Sequence, residues 1–329
     1  MNDAVNNSDN NLNFKPCYVW PNPSFPFRVY FDNGNCRIFI IENIQHNFEW
    51  ILNCKSKFRA NDYFLVIIGC HYHYALVEEA HRMFLALDLD KNKFYIMCND
   101  EREKILFSQF KFHTSIINQN SWLDENLIMK PLICEKKYDS VYVARLIDLK
   151  RHNLASLIGN LALVAGPNHG ADASEYVPPH SFWNEKTLSP SEVCQIINES
   201  YCGLILSEVE GASFASSEYL LCGIPVVSTF SEGGRDSWYN DYNSKIVEPN
   251  ETAIKAAVEY FVANPRDPYL IRDMHLKQAN IFRERFINLI NEILSKSGID
   301  YIFAEKYFQK NFFHKMRDSL HPDFKNIFL

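Results

Sequence analysis

The sequence predicts an α/β protein made of two successive halves, each a parallel sheet covered by helices. Three observations carry this expectation. The chain has 329 residues, enough for about two domains, and 47% of them are hydrophobic, enough for a packed core in each. Short apolar runs rich in β-branched and aromatic residues alternate with amphipathic stretches, as strands alternate with helices in such folds. The alternation breaks near Lys130 to Tyr138, where Pro131 and the charged Glu135-Lys136-Lys137 interrupt it.

Taken in order, residues 1–15 are polar, Asn-rich and low in complexity, so a loose tail is expected there. They lack the charged and apolar regions of a signal peptide, which predicts a cytoplasmic protein. The first half, residues 16–135, is expected to place strands at Arg37 to Ile41, Phe64 to Cys70, Phe94 to Cys98 and Thr114 to Asn118. Tyr74 to Leu87 and Glu101 to Phe110 carry apolar residues at helical spacing and fit between them. The second half, residues 136–297, repeats the pattern with strands at Ser140 to Ala144, Leu161 to Ala165, Gly203 to Leu206, Pro225 to Ser228 and Lys245 to Val247. Its helices are expected at Ser189 to Ser200, Ser213 to Cys222 and Glu251 to Ala263. Ser189-Pro190-Ser191-Glu192 is a helix start, with a serine cap, proline at the first helical position and a glutamate three residues beyond the cap. Long helical patterns follow at Tyr269 to Ser297 and Ile302 to Leu320. The final segment, residues 298–329, carries aromatics and cations together; packing back on the first half is expected, with peripheral contact to an anionic membrane as the other use of such a face.

Composition excludes several classes. Lys+Arg 33 against Asp+Glu 40 gives a net charge of -7, so no bulk field favours nucleic acid. Apolar runs such as Phe64 to Ile68 are far short of the ~20 residues that span a bilayer. The nine cysteines contain no C-x-x-C pair, which argues against a disulfide framework and a zinc site, and they read as small buried hydrophobes. No metal site is predicted. Asp88-Leu89-Asp90 is formally a D-x-D but follows a helical pattern and precedes Lys91-Asn92-Lys93, as a solvated turn would. Gly166-Pro167-Asn168-His169-Gly170 is not G-x-G-x-x-G, and no P-loop is present.

The stretch Ser207 to Thr229 is the most informative. Glu210 and Glu218 flank seven residues that pass from a turn, Gly211-Ala212-Ser213, into a helix that stops at Gly223. A strand, a small-residue turn and a helix amino terminus together form an anion site, because backbone N–H groups and the helix dipole converge there. Read from spacing alone, the two glutamates are more ordinarily solvated helix-end acids. The stretch, however, resembles the donor-binding core of the GT-B retaining glycosyltransferases of family four, whose hallmark is E-x7-E followed by C/A-G-x-P-V-V. Here that hallmark reads Glu210 to Glu218, then Cys222-Gly223-Ile224-Pro225-Val226-Val227. Gly233-Gly234 and Asn243 to Pro249 are similar to the family's later glycine pair and its n-G-x-l-v-x-p stretch, and Val141 to Lys150 to its strand ending in G-R-L followed by K-G.

The resemblance implies a GT-B fold of two Rossmann-like domains facing each other across a cleft, and a retaining, metal-independent transfer from a UDP- or GDP-linked sugar to a glycan or lipid-linked glycan. It needs no cofactor beyond the nucleotide-sugar donor. Arg145 and Lys150 would bind the donor diphosphate with the Phe214 and Ala215 amides, Glu218 the ribose, and Glu210, Gly211, Ala212 and Ser213 the sugar; the catalytic set would be Glu210, Arg145, Lys150 and His71. Asn184, Lys186 and Leu188 are candidates for the base, and His71, His73, Asn118 and Asn120 for the acceptor side. Ser213, Ala144 and Arg151 stand where relatives have glycines, and Arg235 and Asp236 either read the acceptor or pair with each other. An Asn/Lys/Ile/Phe-heavy composition associates the chain with bacterial surface-polysaccharide assembly. The rival readings are an epimerase or phosphorylase of the same fold and a non-catalytic nucleotide-sugar-binding protein.

Overall fold

The computed structural model describes residues 12, 14–21, 25–165, 176–184, 186–296, 298–299, 301–317 and 322–328. Most of the expected tail and all of Gly166 to Gly170 lie outside the described residues, although Leu12 and Phe14 pack against a core. The elements begin with strands β1 (Cys17–Val19), β2 (Phe27–Asp32) and β3 (Arg37–Glu42), helix α1 (Phe48–Cys54), β4 (Asp62–Ile67), α2 (Tyr74–Ala86), β5 (Phe94–Cys98), α3 (Glu101–Gln109) and β6 (His113–Ile116). There follow β7 (Tyr138–Val143), β8 (Leu161–Val164), β9 (Phe182–Trp183), α4 (Pro190–Asn198), β10 (Ser200–Ile205), α5 (Phe214–Leu221), β11 (Val226–Thr229), β12 (Ser244–Val247) and α6 (Glu251–Ala263). Helices α7 (Pro268–Ser295), α8 (Tyr301–Asn311) and α9 (Phe324–Ile327) end the chain.

Two compact units result, one ending at Trp122 and resuming at Asn280, the other running Leu123–Ala279. The boundaries thus fall upstream of those expected at 135 and 297. The physical reason at the first is that Asn198 on α4 holds the Leu132 amide and the Lys130 carbonyl, which binds the linker to the second unit. At the second, Phe286, Ile290, Ile293 and Leu294 of α7 are buried in the first unit's core.

The first unit has a six-stranded sheet in the order β1-β2-β3-β4-β5-β6. Strands β3 to β6 are parallel, as expected, but β1, β2 and β3 pair antiparallel. The β2–β3 hairpin turns at Asn33-Gly34, where Gly34 has φ 85° and the Asn33 side chain accepts the Cys36 amide at 2.8 Å. Both faces of the sheet are covered. Phe39, Ile41, Phe64 and Val66 pack under α1 to α3, while Ile38, Ile40, Leu65 and Ile67 pack under α7 and α8. The α8 aromatics Phe303, Tyr307 and Phe308 are buried in this second layer. Helix α8 ends at Asn311, short of the expected Leu320, and residues 318–320 lie outside the described ones. Buried Arg37 pairs bidentately with Asp62 (2.5 and 3.1 Å) and donates to the Ile327 carbonyl at 2.6 Å, fixing α9 to the sheet.

Asparagines close the carboxyl ends of the parallel strands. Asn43 accepts the Gly69 amide (2.9 Å), Asn99 donates to the Ile68 carbonyl (2.8 Å), and Asn118 donates to the Asn99 carbonyl (3.2 Å). Next to this rim Glu103 is 2% exposed; one carboxylate oxygen accepts the Asn99 amide at 2.7 Å and the other has no partner among the described residues. Burial pushes its pKa from 4.5 up to about 8. The folded state therefore holds a proton that an unfolded glutamate releases near its ordinary value, so the contribution is present at low pH and lost as pH rises toward 8. Stability is expected to fall by on the order of 4 kcal/mol between about pH 5 and 8, at ~1.4 kcal/mol per pH unit. Glu103→Gln should flatten this slope in urea titrations at several pH values; parallel slopes for both proteins would count against the assignment.

The second unit is a wholly parallel six-stranded sheet, order β12-β11-β10-β7-β8-β9. Renumbered within the unit this is the doubly wound order 3-2-1-4-5-6, whose direction reverses between β7 and β10. Tyr142, Leu163, Leu204 and Val227 fill one face against Ile254, Val258 and Phe261 of α6. On the other face the Tyr219 ring of α5 lies over Gly203, where a β-carbon would stand 2.2 Å from it.

Candidate active site

Pairing between β7 and β10 stops at Val141 and Gly203, and the two strands part beyond it. The Val143 amide is instead taken by the Tyr219 hydroxyl at 2.7 Å. The gap is a polar pocket of about 280 Å3 at the carboxyl ends of β7 and β10, the reversal point where doubly wound sheets bind ligands. It brings together Arg145, Lys150, Ser207, Glu210 and the start of α5, Ser213 to Ala215. The Ser213 side chain does not cap α5, whose amino end supplies N–H dipole to the pocket.

Inside the pocket the Lys150 ammonium lies 2.5 Å from a Glu210 carboxylate oxygen, and the Ser207 hydroxyl donates to the other oxygen. The Lys150 carbonyl accepts the Tyr142 hydroxyl. Arg145 is exposed, while its carbonyl is held by the Ile147 amide and by His152 Nε2, each at 2.9 Å. A carbonyl only accepts, so Nε2 carries the hydrogen; burial, with some help from the Lys150 charge, keeps His152 below its usual pKa and neutral.

Two of the three positions that depart from glycine keep a left-handed backbone: Arg151 at φ 49° and Ser213 at φ 55°. Such a conformation costs a non-glycine residue ~1–2 kcal/mol. Arg151 offsets it by donating to the Leu206 carbonyl and the Thr229 hydroxyl, each at 2.6 Å. Ala144, the third, lines the pocket. The Glu210 loop is strapped from the far side: the Glu210 amide donates to the Glu232 carbonyl at 3.0 Å, and the Gly234 amide to the Gly211 carbonyl at 2.7 Å.

The other expected site residues are placed as follows. Glu218 is half-buried on the second turn of α5 and does not line the pocket, and Gly211 and Ala212 are buried beneath the loop. Asn184 is buried, accepting the Ala165 amide and donating to the Lys186 carbonyl, each at 3.0 Å, so its amide shapes the loop; Lys186 is exposed and Leu188 half-buried. In the first unit His71 is half-buried and His73 exposed at the start of α2, whereas Asn118 and Asn120 are fully buried in the strand-end rim. Ser189 and Glu192 form the expected reciprocal cap of α4. Arg235 and Asp236 pair with each other at 2.9 Å. Sequence reasoning missed Tyr142, Arg151 and Ser207 as builders of the pocket; the Arg151 links run across strands, while Tyr142 to Lys150 and Ser207 to Glu210 are single short-range contacts that no repeating pattern marks. Among the described residues no cluster of three or more His, Cys, Asp or Glu could hold a metal ion, and no helix is long and apolar enough to cross a membrane.

No protein-family model matches the chain, and no curated protein matches it in sequence. Solved structures do. A sucrose-phosphate synthase from Thermosynechococcus elongatus superposes with TM-score 0.55 at 14% identity, covering 83% of this chain and 72% of that one. An α,α-trehalose-phosphate synthase (UDP-forming) from Burkholderia vietnamiensis gives 0.54 at 10%, covering 78% and 72%. Anabaena HepE in complex with UDP-glucose gives 0.50 at 12%, covering 82% and 77%. With the strand orders above, these likenesses define the class: the chain has the GT-B fold, two Rossmann-like domains, which is the fold of nucleotide-sugar glycosyltransferases.

Proposed function

We propose that this chain is a retaining, metal-independent glycosyltransferase that moves a sugar from a UDP-linked donor to a glycan or glycolipid acceptor. The observation that carries the reading is the pocket at the sheet reversal, where Arg145, Lys150 and the α5 amino end converge on a space suited to a diphosphate. UDP is favoured because one similar structure is a UDP-forming synthase and another holds UDP-glucose.

In this reading the donor diphosphate lies against Arg145, Lys150 and the Phe214 and Ala215 amides, with the ribose reaching Glu218. The bond from the anomeric carbon to the diphosphate oxygen breaks, and negative charge grows on that oxygen, where the two cations stabilise it. The acceptor hydroxyl attacks from the face the leaving group departs, and its proton passes to the departing diphosphate. No side chain forms a covalent bond, so the protein contributes positioning and charge. Glu210, turned toward the sugar, keeps Lys150 in place through their ion pair.

A thermal-shift series with UDP, GDP, ADP, CMP and NAD tests the donor site, because a ligand that binds only the folded state raises Tm. UDP is expected to raise it by several degrees in the wild type and not in Lys150→Ala. Silence with every nucleotide, or a shift with NAD alone, would overturn the reading. Release of UDP from UDP-sugars then separates a transferase from a protein that binds without turnover.

A further inference from the structure

We infer that Arg235 is a positioning residue for sugar transfer, acting on Glu210 through Ser207; this rests on the glycosyltransferase reading above. Its guanidinium is fully buried. One terminal nitrogen donates to the Ser207 carbonyl at 2.9 Å, the other to the Thr229 carbonyl at 2.5 Å, and Nε donates to Asp236 at 2.9 Å. Ladder pairing of β10 with β11 ends at Ile205 and Ser228, so these carbonyls belong to chain just past the paired region. The planar fork closes that opening and fixes Ser207 at its carbonyl.

From Ser207 the link to chemistry is short. The Ser207 hydroxyl donates to Glu210, whose other oxygen holds Lys150. The connected series is therefore Asp236, Arg235, Ser207, Glu210, Lys150. A buried cation is costly, and its carboxylate partner among the described residues, Asp236, is itself 24% exposed. The fork satisfies the Ser207 and Thr229 carbonyls at once, and in holding the first it sets the direction of Ser207. Arg151 braces the same place from the other side, at the Leu206 carbonyl and the Thr229 hydroxyl. Neither the Gly233-Gly234 pair nor the glutamate hallmark accounts for Arg235, and neither guanidinium lines the pocket.

The test is a double-mutant cycle between Arg235→Lys and Glu210→Ala in the full chain, read as kcat, donor KM and UDP Kd. Lysine keeps the charge and loses the fork. Arg235→Lys is expected to lower kcat about 10- to 100-fold, with UDP Kd within about threefold of wild type because every group that binds the diphosphate is retained and only its alignment changes. In a Glu210→Ala background the same change should cost kcat less than about threefold, since there is no longer a Glu210 carboxylate to orient. Ser207→Ala should reproduce the kcat loss with near-wild-type Tm, which keeps the test open should Arg235 variants unfold. Additive losses in the cycle, or a UDP Kd that weakens as much as kcat falls, would overturn the inference. A wild type that binds UDP and turns over no donor would overturn the function and the inference together; an active wild type with an additive cycle would overturn only the inference.

Discussion

Lys150→Ala is expected to lower kcat/KM for sugar transfer by about 10²- to 10³-fold while the protein stays folded, the size of effect seen when one fixed stabiliser of transition-state charge is removed. The Lys150 side chain is 15% exposed and Glu210 16%, so the pair sits where water screens little and a developing phosphate charge feels the ammonium strongly. The cost to stability is much smaller. Glu210 keeps the Ser207 hydroxyl and its loop keeps the amide bond to Glu232, so Tm should drop by no more than a few degrees. Initial rates with a UDP-sugar, beside a thermal melt of the variant, decide the matter. Unchanged turnover in a folded Lys150→Ala would remove the residue from the site.

Much of the second unit was legible because its information is local. Pro225 and Gly223 punctuate the passage from α5 to β11, and apolar tetrads such as Leu161 to Val164 mark strands buried on both faces. The first unit was harder for the same physical reason. Strand β2 is apolar on both faces, since it contributes Val29 to one layer and Tyr30 to the other, so it shows no alternation. Asn33-Gly34 is the local signal for that hairpin, and the strand expectations above did not use it. Helix α1 is too short for periodicity to register.

The site divides along a similar line. Arg145, Lys150, Glu210 and the Phe214-Ala215 helix start lie in loops whose order along the chain is itself the pattern, and the fold gathers them in one pocket. Contacts joining distant strands were not readable: Tyr219 to Val143, Arg151 to Leu206, Arg235 to Ser207. Asn118 shows a second use for a polar residue at a strand end: its amide serves the neighbouring Asn99 carbonyl. Buried backbone at the ends of a parallel sheet needs partners as much as a substrate does.

Gly233→Ala is expected to destabilise the second unit by ~3–5 kcal/mol and to abolish measurable transfer. Its φ of 114° lies where side chains are rarely tolerated, and a β-carbon there would stand 1.8 Å from the Glu210 carbonyl oxygen and 2.8 Å from its carbon. Both atoms are backbone, so no rotamer change relieves the clash, and the strain falls in the class of large single-residue effects. Relief requires the Glu210 loop to move away from Glu232 and Gly234. That movement breaks the bonds strapping the loop and carries the Glu210 carboxylate off Lys150. Gly34→Ala separates this clash from backbone strain alone: φ there is 85° and nothing lies within 4 Å of the added carbon, so a loss near 1 kcal/mol, ~2–4 °C in Tm, is expected with transfer unaffected. If the two alanine variants melt together and turn over alike, the close approach of Gly233 to Glu210 does not hold the site in place.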